Sequence, residues 1–406
     1  MKRVLLFAAT TGYQVREFAE AARLLDVELV LATDRCHILE NPWGDDAAPV
    51  RFEDPDLGIE ALAARGPFDG ILAVGDRPAC IAAQAAERLG LRFHPAEAAG
   101  AAANKLLARE RFRAGGMPVP EFRPMRLADA HRSDTPVRFP CVLKPLDSSA
   151  SRGVIRANNQ EEFRAAVERI ARMQGGDILV EDYIPGREFA LEGVVRAGKL
   201  QTLALFDKPN PLEGPFFEET IYLTPSRQPD REPNDVQGRI RETAQAAVTA
   251  LGLTEGPVHA EMRVNEQGVW ILEAAARPIG GLCARVLLFG APFLTLEQLL
   301  LRHALGDDVS NAKLAPGSHG VMMIPIPHAG VYRGITGLEE ARRVTGVEDI
   351  VITAKEGQEM LALPEGSAYL GFIFLRAASS DRVEKGLREA HRCLNFILPA
   401  ALPVVK

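Results

Sequence analysis

Short apolar runs and amphipathic stretches alternate from Val4 to about Leu91. RVLLFAA (3–9) reads as a strand, Val15 to Leu25 has helical spacing, and VELVLAT (27–33) reads as a second strand. Gly58 to Ala64 then reads as a helix, FDGILAVG (68–75) as a strand, and Pro78 to Leu89 as a helix. Strands alternating with helices imply a parallel sheet, and ligands of such sheets bind at the carboxyl ends of the strands. Thr10-Thr11-Gly12 and Gly75-Asp76-Arg77 fall at such ends. With no GxGxxG, a dinucleotide site has little support, and a structural or substrate-lining head is the plainer reading.

The pattern changes after residue 100. Ala101 to Ala114 reads as one helix, ended by Gly115-Gly116 and kept from resuming by Pro118 and Pro120. FPCVLKPLDSSASRGV (139–154) is an apolar strand, a loop of small residues and a resumed strand. Asp177 to Val195 reads as strand, Pro185-Gly186 turn, strand, and HAEMRVNEQGVWILEAAARPIGG (259–281) as two strands joined by a tight turn. From Gly317 a strand, a helix (Leu338 to Arg343), two further strands and a helix (Arg382 to Leu394) make a small α/β unit. That tail would close one side of the site or form a dimer.

Composition narrows the class. At 406 residues the chain is too long for one core, and 47% hydrophobic with 25% charged residues is globular usage. A net charge of −7 argues against a nucleic-acid partner. No apolar run approaches the ~20 residues of a membrane span. MKRVLLFAATTGYQ has the look of a signal peptide, but a first strand explains it better because Thr10-Thr11-Gly12 breaks the run early. Cys36, Cys80, Cys141, Cys283 and Cys393 are scattered with no CxxC, which fits a reducing cytoplasm and argues against zinc or a disulfide framework. His319 and His328 lack matching ligands nearby.

Candidate chemistry begins at the 259–281 hairpin. A loop of Glu266-Gln267-Gly268 would pair Asn265 with Val269, Arg263 with Ile271 and Glu261 with Glu273. Two opposed carboxylates are destabilising in a sheet unless a cation bridges them, and oxygen ligands suit Mg²⁺. Arg277 follows, so a metal pair would lie beside a fixed cation, as phosphoryl chemistry requires. A surface hairpin with solvated Glu is the alternative, and a one-residue slip would separate the two acids. Lys144 in its apolar strand is costly without an anion, and the Ser148–Gly153 loop could wrap phosphate oxygens. A snorkelling lysine with a flexible hairpin tip is the alternative there. Asn104-Lys105 near a helix start could reach a phosphate or stay solvated. The segment from Glu181 to Glu188 could offer backbone groups to an adenine edge and a carboxylate to ribose, or be a plain hairpin.

Taken in order, Asn104-Lys105, Gly116 to Pro120, Phe139 to Pro145, the Ser-rich loop, Glu181 to Glu188, Glu261, and Glu273 to Arg277 resemble the ATP-grasp superfamily across residues 1 to about 310. The chain most resembles its L-amino acid ligase branch, through Thr-Thr-Gly-Tyr (10–13), Phe216 to Thr220 leading to Pro225-Ser226, and the tail from Gly317 to Leu398. The resemblance implies an α/β and α+β chain: a pre-ATP-grasp parallel-sheet domain (1–100), a small lid-bearing subdomain (101–185), a large catalytic subdomain (186–312) and a small C-terminal α/β domain (313–406). It implies ATP with Mg²⁺ or Mn²⁺, small carboxylate and amine substrates of the amino-acid kind, and an amide or peptide bond made through an acyl phosphate, in a cytoplasmic protein with a homodimer as one option.

The resemblance also implies roles. Lys105 and Lys144 would hold phosphates, with Ser148, Ser149, Ser151 and Gly153 forming the lid. Glu181 and Ile184 would meet adenine and Glu188 ribose, while Glu261 and Glu273 would ligate the metal. Arg277 would stabilise the substrate carboxylate or tetrahedral intermediate, Lys208 would be a further phosphate contact, and Glu219 would grip an amino group. Three departures stand out. Ala275 replaces an Asn that ligates metal in many relatives, Tyr222 stands where many branch members have His, and the lid has Ser-Ser-Ala-Ser in place of Gly. His259, near the metal pair, reads as a structural histidine. Other outcomes are a purine-pathway ligase or bicarbonate-using carboxylase, a phosphotransferase, or a nucleotide-binding regulatory protein without turnover.

Overall fold

The computed structural model describes all residues except 10, 11, 35–46, 131–136, 211, 291 and 401–406, so Thr10, Thr11 and Cys36 lie outside the described residues. The head is a parallel sheet in the order Ala48–Pro49, Val27–Thr33, Lys2–Ala8, Gly70–Val74. Its first strand is apolar at every inner position because both faces are covered. Leu5 and Phe7 face the core that includes helix Asp76–Leu89, whereas Val4 and Leu6 face the one that includes helices Val15–Leu24 and Leu296–Ala304. Each such buried side chain contributes about 1.5–3 kcal/mol of transfer free energy.

Where one helix was expected from Ala101 to Ala114, the chain makes two, Ala96–Ala103 and Lys105–Ala114. Asn104 breaks the run with extended backbone (φ −112°, ψ 115°), and its side chain accepts from the amides of Leu106 and Leu107. A capping side chain outcompetes local helix propensity here. The break places Lys105 at the first position of the second helix.

A small antiparallel sheet follows, in the order Phe122–Arg126, Asp177–Asp182, Cys141–Pro145, Ile155–Ala157. The Asp177–Val195 stretch is not a hairpin. Asp177–Asp182 belongs to the small sheet, while Arg187–Arg196 belongs to a second, eight-stranded sheet. Tyr183 to Gly186 carries the chain between them, and Gly186 (φ 131°) has no room for a Cβ, which would sit 2.5 Å from the Val264 carbonyl.

The larger sheet is antiparallel, in the order Gly268–Ala275, Glu255–Asn265, Arg187–Arg196, Lys199–Asp207, Ile221–Thr224, Ser318–Ile324, Gly371–Ala377, Val347–Ile352. It runs straight across the expected boundary at residues 312/313. The tail extends the catalytic sheet: Ile221–Thr224 pairs directly with Ser318–Ile324. Helix Ser380–Cys393 covers the tail's face, burying Val383, Leu387 and Ala390 with Ile373 and Leu375. No helix among the described residues is long and apolar enough to cross a membrane.

Candidate active site

The 259–281 hairpin opposes Glu261 and Glu273 as expected, but by another route. The turn has two residues, Glu266-Gln267, and Asn265 pairs with Gly268, Arg263 with Trp270 and Met262 with Ile271. That register alone would set Glu261 opposite Leu272. A bulge that leaves Leu272 unpaired restores the Glu261–Glu273 opposition. Bulges commonly re-aim side chains in this way beside functional sites.

A cavity of about 390 Å³ lies between the head, the small sheet, the large sheet and the tail. It is lined by every residue to which the resemblance gives a nucleotide, metal or substrate role except Gly153 and Lys208. At one end, Glu181 receives Arg109 Nε at 2.9 Å and is also bonded by the Lys144 ammonium. Arg109 and Glu181 side chains are each 3% exposed. Burial would raise the Glu181 carboxyl, but Arg109 and Lys144 outweigh it and hold it at about 2. Burial, with Arg109 alongside, pulls Lys144 below its ordinary range. Arg109 was not anticipated. It stands four residues after Lys105 on the same helix and therefore on the same face, which was the available signal.

The loop from Leu146 to Gly153 closes over this end. The Lys105 ammonium bonds the Ser148 carbonyl and lies 3.7 Å from Glu273. The Ser148 hydroxyl is buried with no hydrogen-bond partner among the described residues. Ala150, Ser151 and Gly153 all have positive φ, at 52°, 56° and 71°. Gly153 sits behind the lining, its amide donating to the Pro364 carbonyl at 2.9 Å, and Arg152 Nε donates to the Glu365 carbonyl at 3.2 Å. Arg169 holds the Glu365 carboxylate with two bonds, at 2.5 and 2.9 Å. A loop of the tail thus latches the lid, a feature with no sequence signal.

Lys208 is the largest departure from expectation. Its ammonium has three donors, and it meets Glu188 at 2.9 Å, Glu219 at 2.7 Å and Glu261 at 3.0 Å. Lys208 hydrogen-bonds Glu188 and Glu219 and pairs with Glu261, so in this geometry it is a buried counterion, and the expected phosphate contact would have to compete with these three carboxylates. Burial would lower it, but the three carboxylates hold it well above the ordinary lysine range. Glu188 is buried and carries a charged donor on each oxygen, Lys208 on one and Arg263 Nε at 3.0 Å on the other. A ribose hydroxyl would have to compete with both. Arg263 also donates to the Ile184 carbonyl at 2.7 Å, which secures the crossover between the sheets.

Glu219 accepts from the Tyr222 hydroxyl at 2.5 Å, and the same hydroxyl lies 3.3 Å from Glu261. Burial and the nearby Glu261 push the Glu219 carboxyl up to about 7 despite Lys208. His259 bridges two acids, with Nδ1 3.1 Å from Glu192 and Nε2 3.4 Å from Glu261. Burial would lower its imidazole, but these acids raise it to about 9. It therefore stands as a charged group bracing Glu261.

Arg277 is clamped by Asp76, with Nε at 2.8 Å and a second nitrogen at 3.2 Å from the two carboxylate oxygens. It also bonds the Pro278 carbonyl at 3.1 Å and lies 3.7 Å from Glu273. Of five guanidinium donors, those bonds take three and leave two for a ligand. Asp76 comes from the carboxyl end of a head strand, where a ligand-facing residue was expected in an open α/β sheet. Its neighbour Arg77 turns away to Glu53.

Residues 137–286 match the ATP-grasp domain family. Residues 322–398 match L-amino acid ligase C-terminal domain 2. D-alanine–D-alanine ligase of Lacticaseibacillus casei is 28% identical over 187 residues, 45% of this chain and 50% of that protein. Alanine–anticapsin ligase of Bacillus subtilis is 28% identical over 223 residues, 49% of this chain and 46% of that one. The chain thus spans about half the length of these curated relatives. The crystal structure of L-amino acid ligase from Bacillus licheniformis aligns with a TM-score of 0.81 at 25% identity, covering 98% of this chain and 99% of that one. The head, the lid-bearing sheet and the long antiparallel sheet around one cleft define an ATP-grasp protein. Its tail and its match over the whole chain place it in the L-amino acid ligase branch of that superfamily.

Proposed function

We propose that this chain is an ATP- and Mg²⁺-dependent carboxylate–amine ligase that joins amino acids and releases ADP and phosphate. The observation that carries this reading is an opposition of charge within one cavity. At one end two cations, Arg109 and Lys144, share one carboxylate, and at the other one ammonium, Lys208, is shared by three. With Arg263 on Glu188 and His259 between Glu192 and Glu261, the second end sets four acids against three cations, so one uncompensated charge is left at each end, positive at the first and negative at the second.

The residues fit both groups. Oxygens of Glu188, Glu219 and Glu261 lie within 4.8 Å of one another, and Glu273 opposes Glu261. This is a hard-oxygen donor set of the kind Mg²⁺ takes. Glu261 and Glu273 would hold the ion, with Ala275 contributing no ligand. Lys105, Lys144, the unpartnered Ser148 hydroxyl, Ser149 and the Ser151–Gly153 backbone would hold phosphates, and the Glu181–Ile184 backbone the adenine.

A carboxylate resists attack by an amine because oxide is a poor leaving group, and transfer of a phosphoryl group from ATP supplies a good one. Arg277, pre-oriented by Asp76, directs its two free donors at the oxyanion formed on amine attack. Glu219 grips the ammonium of a substrate, and near neutral pH it can also accept a proton. The latched lid excludes water from the acyl phosphate. The test is ADP and phosphate release with ATP, Mg²⁺ and single or paired amino acids, with products identified by mass. Release that needs a pair, with a product lighter than the sum by one water, is expected. ATP binding with no release for any pair would overturn the reading.

A further inference from the structure

Near Glu219 one part of the cavity, which we call the chamber, has a wall made of side chains with no phosphate- or metal-binding role. Tyr13 from the head, Cys283 from the segment after Arg277, and Met323 and Tyr369 from the tail line it. The wall is rigidly built. Phe372, fully buried, takes the Tyr13 ring edge-on at 5.8 Å and 74° and the Tyr369 ring at 6.1 Å, and stacks on Phe374 at 6.3 Å. Met323 pairs with Phe372 in the sheet, and its amide donates to the Thr220 carbonyl at 2.7 Å, next to Glu219. The chamber therefore opens beside the carboxylate that would hold an ammonium. Cys283 and Tyr369 both feel the Glu219 charge, which agrees with that placement. Gly280 leaves the space open, because a Cβ there would meet nothing within 4 Å.

We propose that this chamber holds the side chain of the amino acid whose ammonium Glu219 grips, and that it selects a large apolar side chain, aromatic or thioether-bearing, over small or charged ones. The inference rests on the ligase reading and deepens it. An apolar wall with few polar groups is what such a side chain needs. A charged side chain would lose its water there and find Gln14, Ser367 and tyrosine hydroxyls as neutral polar neighbours among the described residues, with Glu219 taken by the ammonium.

The test has a binding arm and a turnover arm. With Mg²⁺ and a non-hydrolysable ATP analogue, calorimetry should show Phe, Leu and Met binding at least about tenfold more tightly than Ala, Asp or Lys, the scale set by added methylenes in an apolar pocket. ADP release should follow the same order. Gly280→Val, which fills open space, should lower the Phe-to-Ala ratio of kcat/KM at least about tenfold, and Met323→Ala should lower it by removing wall contact. Equal or tighter binding of Ala, Asp or Lys would overturn the chamber assignment, as would variants that reduce Phe and Ala alike. Selective binding of apolar amino acids without ADP release would uphold the chamber and overturn the ligase reading. Release driven best by small or charged amino acids would do the reverse.

Discussion

The two ends of the cavity solve opposite electrostatic problems. Around Glu181, two buried cations surround one acid, and the acid is held at about 2. Around Lys208, four acids, Glu188, Glu192, Glu219 and Glu261, face three cations, Lys208, Arg263 and His259, and one of the acids, Glu219, rises to about 7. Breaking a buried ion pair costs about 3–5 kcal/mol, so a protein holding both imbalances is set to receive ligands that cancel them. The sign of the ligand each end would take follows from the charge its neighbours leave uncompensated.

The comparison is broken most directly at the acidic end. Glu273→Ala or Glu261→Gln should lower Mg²⁺-dependent turnover by about 10³-fold, the several kcal/mol that metal charge stabilisation supplies, with far-UV circular dichroism unchanged. Near-normal turnover would remove the metal assignment. Lys208→Met leaves Glu188, Glu219 and Glu261 facing one another. It should cost about 3–5 kcal/mol in urea unfolding without Mg²⁺ and regain more from added Mg²⁺ than the parent protein does. If Mg²⁺ stabilises the parent more, Lys208 does not stand in for a cation.

At the basic end the expectation is a pH effect. The Glu181 carboxyl is lowered from 4.5 to about 2, so its contribution is complete above the unfolded value and is lost as pH falls through that window. Unfolding free energy of the parent should therefore fall between about pH 4.5 and 2 more steeply than that of Glu181→Gln. Parallel profiles would show that Arg109 and Lys144 do not hold the acid ionised. The smallest effect is at the latch. Glu365→Ala removes both Arg169 bonds and should raise amine-independent ATP hydrolysis a few-fold, roughly the worth of one exposed ion pair of up to about 1 kcal/mol. Unchanged hydrolysis would mean the lid closes without the tail.

The opposition of Glu261 and Glu273 was legible because strand alternation places both on one face at any register that brings them level. The turn was misread by one residue, since a two-residue turn and a bulge together do what a three-residue loop would do alone. The carboxylate cage around Lys208 escaped the sequence for a different reason. The lysine's three partners come from the start of Arg187–Arg196, the middle of Glu255–Asn265 and the loop before Ile221, and no local pattern reports that they converge. The tail's continuity with the catalytic sheet was hidden likewise, because strand pairing between Ile221–Thr224 and Ser318–Ile324 spans about a hundred residues.

Local patterning determined the parallel head, the strand–loop–strand carrying Lys144, the acid pair on its hairpin and the order of motifs, because each depends on neighbours within a few turns of chain. Tertiary structure alone decided which acids each lysine meets, that Asp76 aims Arg277, that Glu365 latches the lid and that Tyr13, Met323 and Tyr369 line one cavity. Those outcomes depend on which charges and rings are desolvated together. Desolvation is a property of the packed whole, in which residues hundreds of positions apart compete for the same partner.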